Sequence, residues 1–205
     1  MLAHPRTDGG AGPAFPKGTL HAPRRREGMA HRMARSLSLG PAMLLQFEDE
    51  ATLRHQVAEV MRAERITCAL AAQREFEAYA HLLPNGRRWT ATLLIQLPEA
   101  QQRARWLPLL SDAAHRVFVA CDGLPRALAQ ANEDLADRHR GRPSGVHFLR
   151  FELPGTMRAA LLAGRPCVLG CAHDGYAWQR ALPSPLLALL RGDLTASPVD
   201  DACAA

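Results

Sequence analysis

The chain has 205 residues, 47% of them hydrophobic, and a formal net charge of +5; that is room for one domain with a substantial core plus a tail. The charge is local: residues 1–35 hold Arg6, Lys17, Arg24, Arg25, Arg26, Arg32 and Arg35 against Asp8 and Glu27, which leaves 18 basic and 18 acidic groups in the remaining 170 residues. A neutral body, a single lysine and a tail whose one aromatic is Phe15 argue against nucleic-acid binding, which asks for a basic face and stacking platforms.

Residues 1–27 are rich in Gly, Pro and Arg with little to bury, which predicts a disordered tail ahead of a domain over 28–194, with a frayed end over 195–205. After Pro41, Met43, Leu45 and Phe47 alternate with Leu44, Gln46 and Glu48, the period of a strand with one buried face. Asp49 then reads as a helix N-cap, with Glu50 in the first turn. Leu53, Val57, Val60 and Met61 form an apolar stripe at helical spacing, and Gln56 and Glu64 fall on or beside it. A second helix is expected over Cys68–Leu83, stopped by Pro84-Asn85-Gly86. Arg88–Leu97 alternates clearly enough for a strand with Trp89, Ala91, Leu93 and Ile95 inward, and a helix over Glu99–Leu110 follows. Residues 115–121 and 125–131 flank Asp122-Gly123 as a hairpin whose second strand Pro125 confines to an edge. Residues 132–143 read as a charged connection. Ser144–Leu153 is a third strong strand, with His147, Leu149, Phe151 and Leu153 on one face. A short helix over Gly155–Ala163 leads to PCVLGCAH and YAWQRAL, joined at Asp174-Gly175 as a type I′ hairpin, and a last helix covers Ser184–Leu190.

Hairpins without strict strand–helix alternation predict an α+β fold, mainly antiparallel, with helices packed on one sheet face. Five irregularly spaced cysteines, Cys68, Cys121, Cys167, Cys171 and Cys203, are the pattern of free thiols in a reducing compartment. With no signal-like apolar run in the first 35 residues and no bilayer-length segment, a cytoplasmic protein free of membrane contact is expected. There is no phosphate-binding glycine loop, nucleophile elbow or paired carboxylate–histidine helix motif to fix a reaction.

The titratable residues support one enzyme-like reading, a mononuclear iron, zinc or manganese site built from His147 and His173 with a carboxylate from Glu48, Asp49 or Glu64. The plainer account makes His147 a hydrogen-bonded core histidine, His173 and Tyr176 a cross-strand pair, and Glu64 the partner of an arginine. Cys167 and Cys171, four residues apart on an extended strand, stand roughly 13 Å apart, too far to share one zinc.

GPAMLLQFEDEATLRHQVAEVMRAERI, EAYAHLLPNG, WTATLLIQ, SGVHFLRFEL and GCAHDGY together resemble an uncharacterised bacterial family, domain of unknown function 3501. The matching positions are Phe47, Glu48 and Asp49; Gln56, Glu59, Arg62, Glu64, Arg65 and Ile66; Val146, His147, Phe148, Arg150 and Phe151; and His173 with Tyr176. Ala30-His31-Arg32 fits the family's opening segment, residues 1–23 do not, and Cys167 and Cys171 lie outside its pattern. The resemblance implies no activity. It implies a redox or peroxide-defence setting beside rubrerythrin-like and iron–sulfur proteins; an accessory or binding role is read instead from the strand faces. Gln46, Glu48, Thr90, Thr92, Gln96, Arg150 and Glu152 share alternate strand faces; if those strands adjoin, they form a polar platform for a redox partner or a second copy of the chain.

Overall fold

The computed structural model describes residues 25–65, 68–131 and 144–195. Of the tail expected to be disordered over 1–27, residues 1–24 fall outside the described residues, as do the connection over 132–143, the end beyond 195 and Ile66. The first element, α1 (Arg25–Ala34), starts inside the expected tail. Strand β1 (Ser36–Leu39), too short and serine-rich to stand out in the sequence, pairs with β2 (Met43–Phe47). Then come α2 (Glu50–Ala63), α3 (Ala69–Ala78), β3 (Arg88–Ile95) and α4 (Ala100–Leu109). They are followed by β4 (Val117–Cys121), β5 (Ala127–Leu128), β6 (Gln130–Ala131) and β7 (Val146–Glu152). The last four are α5 (Gly155–Leu162), β8 (Cys167–His173), β9 (Tyr176–Ala181) and α6 (Ser184–Thr195).

The class is α+β, with every strand pair antiparallel in two sheets, one ordered β1-β2-β3-β7-β6 and the other β5-β4-β8-β9. The inward residues of the alternating strands do what their period demands. Met43, Leu45 and Phe47 of β2, Trp89, Ala91 and Leu93 of β3, and Leu149 and Phe151 of β7 are buried in one core with Val117, Val119 and Leu169 of the other sheet. Met157 and Leu161 of α5 and Leu187 and Leu190 of α6 complete that core, and the Trp89 indole N–H donates to the Leu190 carbonyl at 2.9 Å. On the outer face of the five-stranded sheet, α2 and α3 bury a smaller cluster of Leu53, Val57, Phe76 and Leu82, with Phe148 against it.

Several expectations give way to tertiary context. The segment over 125–131 is one extended run that changes sheets: β5 pairs with β4, while β6 pairs with β7 across the core. The helix over 68–83 stops at Ala78 and continues as a 3-10 turn, Ala80–Leu82, whereas the last helix runs to Thr195 instead of Leu190. The Asp174-Gly175 hairpin forms with His173 opposite Tyr176. Neither turn residue has the positive φ that a type I′ turn needs.

Cysteine usage is the sharpest correction. Cys121 and Cys167 form a disulfide, leaving Cys68 and Cys171 as the free thiols among the described residues. The two half-cystines lie 46 residues apart in sequence, yet face each other in the β4–β8 register with Cα atoms 4.3 Å apart. Local spacing carries no trace of that register, and the argument for a reducing compartment loses its footing. Among the described residues, no helix is long and apolar enough to cross a membrane.

Candidate functional site

Strands β2, β3 and β7 do adjoin, with Gln46 opposite Thr92, Thr90 opposite Arg150 and Arg88 opposite Glu152. Their outer face, expected as an open platform, is partly roofed by α2 and α3, so Thr90 and Thr92 are buried. What stays open is a polar groove of about 200 Å³ between α1, α2 and the sheet.

The groove is built where β2 ends. Asp49 leaves the strand with extended backbone and caps α2: its Oδ1 accepts the Thr52 N–H, and the Thr52 hydroxyl accepts the Asp49 N–H. This reciprocal box sets the direction in which α2 crosses the sheet. It also brings Thr52 over Glu48. The Thr52 hydroxyl lies 2.6 Å from Glu48 Oε2 and the Thr92 hydroxyl 2.6 Å from Oε1. Each carboxylate oxygen thus accepts one hydroxyl, and Glu48 is held 6% exposed in the groove floor. Gln56 and Glu59 follow Thr52 at helical spacing and form one wall; Gln46, Val146 and Phe148 line the sheet side, and Arg32 of α1 the rim.

Behind the floor lies a charge cluster that sequence reasoning missed. Arg35, 2% exposed, donates to the carbonyls of Phe47 and Glu48 and pairs with Asp49 at 3.4 Å and with Asp193 of α6. His31 donates to Asp49 at 2.7 Å. Burial pushes the Asp193 carboxyl up to about 6, with the Arg35 guanidinium pulling against it. Arg32 reaches His55 at 3.3 Å and Glu59 at 3.9 Å, which fastens α1 to α2. The Asp49-x-x-Thr52 spacing was a readable signal; Arg35 and Asp193, 158 residues apart, left none.

The other residues singled out from sequence are scattered. His147 faces the core on the side of β7 opposite the groove, donating to the Ser144 carbonyl at 2.9 Å. His173 sits at the β8–β9 turn of the other sheet, 3.1 Å from Asp112, and its Nδ1 accepts the Gly175 N–H. The Tyr176 hydroxyl donates to the Leu39 carbonyl and accepts from the Ala42 and Met43 N–H groups, pinning the β1–β2 turn. Glu64 is the exposed C-cap of α2 and does not join the apolar stripe, and Arg62, two residues earlier, is exposed as well. Arg150 bonds Gln130 and Glu152 along the sheet face beyond the groove. His147, His173 and the carboxylates of Glu48, Asp49 and Glu64 are therefore not brought together, and no group of three or more His, Cys, Asp or Glu stands in metal-holding geometry among the described residues. Of the sequence-derived candidates, the structure gathers Glu48, Asp49 and Gln56 around one place.

Residues 21–194 match the family model described as "Protein of unknown function (DUF3501)". The chain is also similar to a solved structure of a novel protein of unknown function from Burkholderia pseudomallei K96243, at 38% identity and a TM-score of 0.77, over 82% of this chain and 88% of that one. No functionally curated protein matches it.

Proposed function

The chain belongs to the DUF3501 family of proteins of unknown function, and from that premise we propose that it is an accessory binding protein whose partner docks over the groove beside Glu48. One observation carries this reading. The groove combines a carboxylate fixed by two hydroxyls with the side-chain amides of Gln46 and Gln56, which have no hydrogen-bond partner among the described residues. Polar groups that are positioned but not spent on the fold are what a recognition surface needs. The partner we propose is a rubrerythrin-like or iron–sulfur redox protein, the setting that the family resemblance implies.

Sedimentation velocity of the chain mixed with such a protein tests the reading. We expect a complex that Gln56→Trp, which fills the groove from a half-buried position on α2, dissociates. A complex unaffected by that variant, or no complex with either class of redox protein, would sink it.

A further inference from the structure

We propose that the groove receives the guanidinium group of an arginine side chain from the docked partner. This rests on the groove being the partner-binding face and names the chemistry that face selects.

The first argument is charge. Glu48 is 6% exposed, and its two bonded partners are neutral hydroxyls. Hydroxyls satisfy hydrogen bonds but bring no counter-charge, and a buried carboxylate without one is costly. The nearby arginines are committed elsewhere. Arg35 binds the Glu48 backbone carbonyl and places its charge against Asp49 and Asp193. Arg32 turns to Glu59 and His55. With Glu48 and Glu59 against Arg32, the groove keeps one net negative charge.

The second argument is hydrogen-bonding capacity. Each Glu48 oxygen has a lone pair beyond the one its threonine uses, and the amide oxygens of Gln46 and Gln56 add acceptors. Acceptors that converge around a carboxylate suit the five donors of a guanidinium fork, where an ammonium supplies three from a point. Val146 and Phe148 on the sheet side give an apolar wall for the methylene stem.

The third argument is size. About 200 Å³ falls short of the roughly 300–1,000 Å³ usual for small-molecule and cofactor sites. It suits one long side chain delivered by a larger surface.

The test is a titration of the full ¹⁵N-labelled chain with Nα-acetyl-arginine amide, against the neutral isostere Nα-acetyl-citrulline amide and Nα-acetyl-lysine amide. We expect saturable shifts at the Gln46 and Gln56 side-chain amides and at Thr92 with arginine, and binding weaker by about tenfold or more with citrulline, the loss expected when charge-assisted hydrogen bonds go. Lysine should fall between. Glu48→Gln should abolish the response; if that buried change disturbs folding, Glu59→Gln, at the half-exposed rim, should still weaken arginine severalfold. Equal binding of citrulline, no saturable shift in the groove, or full binding by both variants would overturn the proposal. The two readings separate cleanly. If Gln56→Trp dissociates the partner but arginine fails to bind, the docking face stands and the guanidinium falls. If arginine binds but partner assembly ignores Gln56→Trp, the arginine does not come from that partner and the proposal is overturned in its source.

Discussion

Glu48 shows how far a single residue can be read. Its place on the polar side of a strand was legible from the period-two pattern; its bond to Thr92 was not, because Thr92 lies 44 residues away on a neighbouring strand. Thr92→Val removes one hydroxyl from a buried carboxylate and should cost about 1.5–3 kcal/mol, read by urea denaturation. An unchanged midpoint would mean the bond contributes nothing. Asp193 makes a different prediction. Burial raises its carboxyl to about 6 from an unfolded value near 3.9, so between those values the folded chain binds more protons than the unfolded one. Its contribution to stability is full below about pH 4 and lost as pH rises through about 6, amounting to roughly 3 kcal/mol. Asp193→Asn should lack that component, so stability measured from pH 4 to 7 should fall less in the variant than in the parent. Parallel profiles would contradict the raised carboxyl.

At the scale of elements, α2, β3 and β7 were legible because each repeats one period over seven residues or more. What failed were short elements and shared faces. Strand β1 has four residues and exists because β2 offers it an edge and Tyr176 holds the intervening turn. Tyr176→Phe would leave the Ala42 and Met43 N–H groups without their phenol oxygen. We expect a loss of about 1–3 kcal/mol and faster amide exchange over residues 36–43; protection equal to the parent's would show that β1 needs no such pin. The roofing of the platform was hidden for a related reason: threonine fits either an open sheet or a helix-covered one. Helix α1 lies close enough on α2 that a Cβ at Gly28 would stand 2.2 Å from the His55 ring. Gly28→Ala should therefore push α1 off its seat at a cost of about 1–3 kcal/mol, moving the His55 and Arg32 resonances in the NMR spectrum. A spectrum that left both in place would show that the ring yields instead.

For the whole molecule, the α+β class followed from hairpins and irregular element order, but the division into two sheets did not. The segment that changes sheets, Ala127–Ala131, reads as an ordinary edge strand, and which sheet each half joins is decided by partners far along the chain. The disulfide is invisible for the same reason. Replacing both Cys121 and Cys167 with alanine should lower stability by up to about 4 kcal/mol, the loop-closure value for a crosslink spanning this separation, and adding reductant should do the same to the parent only. The crosslink lies in the four-stranded sheet, but the covalent ring it closes runs out through β6 and β7 of the other. If the two ends of the oxidised protein are pulled apart, covalent tension passes from Cys121 straight to Cys167, and once β3 has peeled from β7 none of it reaches β7 or α5. In an optical trap the fully extended oxidised chain should be about 160 Å shorter than the reduced one, with that central stretch still slack.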